Sequence, residues 1–273
     1  MLILEKFYGE LAGPETGEKL VFLHGLMGSA ANWRGVVPAF SDKYQVLTYD
    51  QRGHGRSIQP ENGYDPEDFA EDLRLILGEL GWQKIYLVGH SMGGRNALHF
   101  AYKYPEIVNK LVIEDIGPDT SEVATRRIED LLDSVPTPFA SRSEARSFFQ
   151  NQFEGLHPKN PRARAIGQYL YTNIKETDTG LADWRFFKKG ILRAATRGRA
   201  VDRWAEVKGL VMPTLWIRGD ESVEFPHEVY EQVLQSNKKI RGILVSPSGH
   251  WVHFDQTQQF IDEVRHFLEE NTE

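Results

Sequence analysis

Ser91 stands at the centre of Gly89-His90-Ser91-Met92-Gly93, followed by Gly94. A serine hydroxyl attacks a carbonyl only when a neighbouring base takes its proton and donors await the oxygen that becomes negative. The glycine-x-serine-x-glycine pattern alone is weak, because glycine and serine are common residues. Its context is stronger. The apolar run Lys84–Val88 precedes it, and a helical pattern carrying Ala97, Phe100 and Ala101 follows, so the serine falls on a strand-to-helix turn. Such a turn strains the central residue, and the flanking glycines remove side chains that would clash. The plain alternative is a tight turn with a helix-capping serine.

A base and an acid must follow the serine in the chain if the turn belongs to this arrangement, in the order acid then histidine. Nine histidines are present. The run Gly242–Val245 leads into Ser246-Pro247-Ser248-Gly249-His250-Trp251, and His250 is the first histidine after it. His253 competes but opens toward the next helix. Two strand ends offer the acid: Glu114-Asp115 after Val112-Ile113, and Asp220-Glu221 after Ile217-Arg218-Gly219. The commonest acid position, three residues after that glycine, holds Ser222. Oxyanion donors are expected from the backbone N–H of Met92 and, in the loop His24-Gly25-Leu26-Met27-Gly28-Ser29, from that of Leu26. His24 is expected to brace its own loop.

The elements that must position these residues alternate between short apolar runs and helical patterns, the mark of a parallel sheet covered by helices. Strands are expected at Lys19–Leu23, Gln45–Tyr49, Lys84–Val88, Lys110–Ile113, Thr214–Arg218 and Gly242–Val245, with an antiparallel edge at Ile3–Tyr8. Asp65-Pro66 opens a helix that Gly81 ends. Another helix is expected over Thr257–Leu268. From about Asp119 to Lys208 no strand-like run occurs, and aromatic residues and arginines accumulate. This reads as a helical lobe, residues 119–208, inserted in a core made of residues 1–118 and 209–273.

Bulk composition bounds the function. The 273 residues are 40% hydrophobic and carry a net charge of -7, which argues against a general nucleic-acid binder. No cysteine is present, so disulfides, thiolate metal sites and a cysteine nucleophile are excluded. No apolar run reaches the ~18 residues of a membrane span, and the N-terminus lacks the pattern of a signal peptide. A cytoplasmic location is the expectation.

Taken together, the His24–Ser29 loop, the loop Asp50-Gln51-Arg52-Gly53-His54-Gly55-Arg56-Ser57, the Ser91 motif and Gly249-His250-Trp251-Val252-His253 resemble the α/β-hydrolase superfamily of serine hydrolases. Within it, Glu114-Asp115-Ile116-Gly117-Pro118 and the His250 segment resemble the YbfF-type esterase and thioesterase branch. That resemblance implies an α/β-hydrolase fold with an inserted helical cap. It also implies Asp115 as the acid, with Ser222 as an auxiliary hydrogen-bond partner; Asp220 stays the alternative.

The expected reaction is cleavage of a small-molecule carboxylic ester or acyl thioester through an acyl-enzyme. Carbon–carbon bond hydrolysis or cofactor-free perhydrolysis would use the same three residues, and a ligand receptor could keep them idle. Ser91 argues directly against an aspartate-dependent epoxide hydrolase or dehalogenase. No metal-ligand cluster or dinucleotide motif is legible, so no cofactor is expected. The lobe's aromatic residues should line an acyl pocket or fill the lobe's own core, mostly the latter. Its basic residues either form a solvated face or attract an anionic leaving group. The loop Asp50–Ser57 is expected to brace neighbouring turns.

Overall fold

Apolar residues that alternate along each strand point to opposite faces of a pleated sheet, so a sheet covered on both sides needs two apolar cores. Both are present in the computed structural model, which describes residues 3–120, 122–158, 160 and 162–270. The strands are β1 (Gly9–Ala12), β2 (Glu18–Leu23), β3 (Tyr44–Tyr49), β4 (Ile85–His90) and β5 (Val108–Glu114). They continue with β6 (Ile174–Glu176), β7 (Ala182–Trp184), β8 (Thr214–Gly219) and β9 (Ile240–Val245). The main sheet runs β1-β3-β2-β4-β5-β8-β9. All of its pairs are parallel except β1 with β3.

Val21, Leu23, Leu87, Leu111 and Ile113 face one side. They pack there against α1 (Pro66–Leu80), α2 (Met92–Lys103) and later helices of the chain. Leu20, Phe22, Val88, Val112 and Leu215 face the other side, which the C-terminal helix covers with Phe260, Ile261, Val264 and Phe267. Helix α1 starts at Asp65, whose side chain and that of Asp68 cap each other's backbone N–H groups. It ends at Gly81, in the left-handed conformation with φ 71°.

Between β5 and β8 the chain forms α3 (Glu122–Asp133), α4 (Arg142–Asn151), α5 (Phe153–Leu156), α6 (Ala163–Thr172), α7 (Lys188–Gly198) and α8 (Trp204–Gly209). After β8 come α9 (His227–Ser236), α10 (Val252–Asp255) and α11 (Thr257–Glu269). The helices after β5 hold a third core of Phe139, Phe148, Phe149, Phe153, Trp184 and Phe186, which packs on Met27. Most of the segment's aromatic residues are thus spent on its own packing. Its arginines reach the acidic part of the chain: Arg162 lies 3.0 Å from Asp255, Arg197 2.8 Å from Asp65 and Arg203 3.3 Å from Glu67. The basic excess therefore docks the lobe rather than facing only solvent.

Two sequence expectations need correction. The antiparallel edge is Gly9–Ala12, not Ile3–Tyr8; Ile3–Glu5 is a short 3-10 helix. The backbone of Lys6 and Tyr8 instead bonds to the loop after β3, through Ile58 and Asp50, each at 2.9 Å. Phe7 is buried edge-on against Tyr49. The segment between β5 and β8 also contains strands, β6 paired antiparallel with β7. Three residues each, Ile-Lys-Glu and Ala-Asp-Trp, are too short for a period to show in sequence.

Candidate active site

The turn from β4 into α2 is as tight as its sequence demands. Ser91 has φ 53° and ψ -117°, a conformation that non-glycine residues rarely adopt. A Cβ at Gly93 would stand 2.4 Å from the carbonyl oxygen of Leu23, and one at Gly89 would stand 2.4 Å from that of Gly93. Both glycines are therefore required by close backbone approach. Because β4 lies between β2 and β5, the serine emerges at the centre of the sheet's carboxyl edge. Its own N–H donates to the Glu114 carbonyl at 3.0 Å.

Strand β5 delivers Asp115 beside it, and the loop after β9 brings His250 over both. His250 Nε2 lies 2.9 Å from Ser91 Oγ, and Nδ1 lies 2.7 Å from Asp115 Oδ2. Asp115 is fully buried, with φ 51°. Its Oδ1 accepts the Gly219 N–H at 3.0 Å, and its Oδ2 also accepts the Ser222 hydroxyl. Burial disfavours the charged imidazole, but the hydrogen bond and negative charge of Asp115 outweigh it and hold His250 above its ordinary 6.5.

Asp220 is turned elsewhere: it accepts from Ser246 Oγ at 2.5 Å and from the Ser248 N–H at 2.9 Å. Glu221 reaches Arg162 at 3.4 Å. Of the acids at the two strand ends, Asp115 alone is hydrogen-bonded to His250 among the described residues.

The backbone N–H groups of Leu26 and Met92 have no acceptor among the described residues. Met92 is also the first residue of α2, where free N–H groups and the helix dipole favour negative charge. The loop carrying Leu26 is fixed from beneath. His24 Nε2 accepts the Gln51 N–H at 3.0 Å, and His54 Nε2 accepts that of Met27 at 3.2 Å. His24 is thus a brace, as expected. Asp50 bonds the N–H groups of Ala30 and Arg56, and Arg52 makes a two-pronged pair with Asp72. That loop braces its neighbours too.

Burial lowers His24 to about 4 and His54 to about 3, the charge of His24 adding to the second. Each pK unit is worth ~1.4 kcal/mol. The unfolded chain binds these protons more readily, so their stabilisation is complete above about pH 6.5 and is lost as pH falls. At pH 5 each should cost about 2 kcal/mol. Thermal melting at constant ionic strength from pH 7.5 to 5 should show Tm falling steeply. Replacing His54 by glutamine should flatten that fall; an unchanged pH slope would contradict it.

The sequence reading named Glu114 and His253 only as competitors for the acid and the base and did not foresee their pairing, nor the part His90 plays beside it. His90 Nε2 donates to the His250 carbonyl at 2.9 Å, and Glu114 accepts from the His253 N–H and ring at 2.9 and 2.8 Å. Each neighbours a central residue of the site, and together they pin the His250 loop to β4 and β5. The signal available was His253 itself, an ionisable residue between the apolar Val252 and Phe254. His90, Glu114 and His253 bring potential metal-ligand atoms within 4.8 Å of one another. Within that group, Glu114 and His253 are already hydrogen-bonded to each other at 2.8 Å.

This architecture and geometry define a class. The chain belongs to the alpha/beta hydrolase fold family, which it matches over residues 19–257. It is 30% identical to an sn-1-specific diacylglycerol lipase of Mus musculus, over 96% of this chain and 84% of that one. It is 28% identical to a putative esterase/lipase of Haemophilus influenzae, over 92% of this chain and 83% of the other. Among solved structures it resembles a marine microorganism esterase with a TM-score of 0.80 and 26% identity. That match covers 96% of this chain and 99% of the esterase. Among the described residues no helix is long and apolar enough to cross a membrane.

Proposed function

We propose that this hydrolase cleaves carboxylic esters, and acyl thioesters by the same route, with Ser91 as nucleophile. The observation that carries this is the continuous hydrogen-bonded line from Ser91 Oγ through His250 to buried Asp115. Asp115 accepts the Nδ1–H of His250, leaving Nε2 bare to take the serine proton as Oγ attacks the carbonyl. The N–H groups of Leu26 and Met92 receive the oxyanion. His250 then passes its proton to the departing alcohol or thiol, leaving an acyl-Ser91. Water, deprotonated by the same histidine, releases the acid. Ser222 holds Asp115 Oδ2 in place alongside the histidine. Residues 119–208 act as the lid over a core of residues 1–118 and 209–273.

The relatives named as lipase and esterase support ester chemistry. The test is hydrolysis of p-nitrophenyl acetate, butyrate and octanoate at pH 8, with intact mass after an alkyl fluorophosphonate. Turnover and a single adduct mapped to Ser91 are the expected results. No turnover with any ester and no adduct would remove the reading and favour carbon–carbon bond hydrolysis or a receptor.

A further inference from the structure

Arginine side chains are almost never fully buried without paired charge. Two lie together one helical turn from Ser91. Arg95 is 4% exposed. Its Nη1 and Nη2 donate to the carbonyls of Gly198 and Asp119, and its Nε has no hydrogen-bond partner. The side chain of Arg199 is 9% exposed, and its nearest acid is Glu224 at 4.0 Å. It makes no hydrogen bond among the described residues. Burial lowers Arg95 to about 9, with the charges of Arg199 and Arg203 adding, and burial lowers Arg199 as well. Two cations are thus held in a desolvated place with donors to spare.

The same two residues form the common wall of two cavities. One, of about 10 Å³, is lined by Leu26, Met92, Tyr64 and Phe69 as well as both arginines. It holds about one water. The other, of about 230 Å³, is lined by both arginines with Ile116, Gly117, Val229 and Ala124, and Val123, Val223 and Arg127 stand among its outer residues. Its acids are Asp119, which accepts the Trp204 indole N–H, and Glu224, against three arginines. No residue of the loop from Ser246 to Trp251 lines either cavity. Ser91 lines neither cavity, and the smaller one meets the site through Leu26 and Met92, away from the His250 loop that serves the leaving group.

We propose that Arg95 and Arg199 form a subsite for a carboxylate at the far end of the substrate's acyl chain. This deepens the esterase reading and rests on it: the substrates are monoesters of short dicarboxylic acids. Arg95 follows Ser91 by four residues, about 6 Å along the helix axis, which sets a chain of a few carbons between the two carbonyls. The smaller cavity, lined by Leu26 and Met92 as well as both arginines, joins the oxyanion donors to the anion site, and the larger one is open to the same two arginines. The backbone carbonyls fix the Arg95 guanidinium before substrate arrives. Arg199, free of such bonds, completes the anion site.

The test compares mono-p-nitrophenyl adipate with p-nitrophenyl hexanoate, equal in length and differing in the terminal carboxylate. Wild type should prefer the adipate ester at least tenfold in kcat/KM. Arg199→Gln should lower that preference about ten- to hundredfold, the range of a charge-assisted hydrogen bond, and Arg199→Lys should restore part of it. Calorimetry with free adipate supplies a readout without turnover: binding by wild type, weakened at least tenfold in Arg199→Gln. Hexanoate hydrolysis with no adipate preference, or a preference untouched in Arg199→Gln, would overturn the subsite while ester hydrolysis stands. If neither ester is cleaved the esterase reading fails, and calorimetry decides the subsite alone: adipate binding dependent on Arg199 keeps it, and absence of binding ends it.

Discussion

Ser91→Ala should lower p-nitrophenyl ester hydrolysis by about 10⁴- to 10⁶-fold, leaving only what the oxyanion donors and binding provide. The loss is near-complete because among the described residues no other hydroxyl is hydrogen-bonded to His250. Ser91 Oγ is the oxygen 2.9 Å from His250 Nε2, and it is held there by a backbone conformation the rest of the turn enforces. Ser222, the other hydroxyl of the group, is already bonded to Asp115. Alanine fits the same backbone without a clash, so Tm should stay within a few degrees of wild type. Unaltered turnover by a purified, folded variant would end the case for Ser91.

Asp115→Asn should cost about 10⁴-fold in kcat, by misdirecting a proton rather than by unfolding the loop. Gly219 N–H points at Oδ1, so an asparagine keeps its carbonyl oxygen there and places its NH₂ where Oδ2 was. That NH₂ faces His250 Nδ1 and donates to it. The imidazole must then carry its proton on Nε2, where it faces the serine and cannot accept. The pH profile should change as well. In wild type, activity rises with pH as His250 loses its proton, with a midpoint above 6.5 because Asp115 raises it. Without that charge and hydrogen bond the midpoint of the residual activity should move down. Asp220→Asn is the control: it disturbs only bonds to Ser246 and Ser248, and should cost at most about tenfold. Equal losses in the two variants would withdraw Asp115 from the acid's role.

How much of this was legible in the chain follows from how local each feature is. The nucleophile turn was, since its glycines are needed by contacts within a few residues and one neighbouring strand. The Leu26 loop and His250 were too, because each directly follows an apolar strand whose carboxyl end must face the same edge of a parallel sheet. The edge strand was misplaced because Phe7 and Tyr8 carry strand-forming side chains, while the backbone of Lys6 and Tyr8 is claimed by Ile58 and Asp50 in a distant loop. The β6–β7 pair was missed because six residues hold no period.

The sequence alone marked the six parallel strands of the main sheet, and it singled out Ser91 and His250, which the fold brings to 2.9 Å. The order of residues along the chain left Asp115 and Asp220 both open, the resemblance of Glu114–Pro118 favoured Asp115, and the tertiary structure places Asp115 on the histidine. Asp115 and Asp220 both leave strand ends, and strand context and chain order do not distinguish them. What separates them is that β5 lies directly against β4 while β8 lies one strand further out, and that Ser246 and Ser248 fold back to claim Asp220. The pairing of Arg95 with Arg199 was decided in the same way. One sits on the nucleophile helix and the other just past α7, over a hundred residues on, and only the packing of the lobe against α2 buries them together.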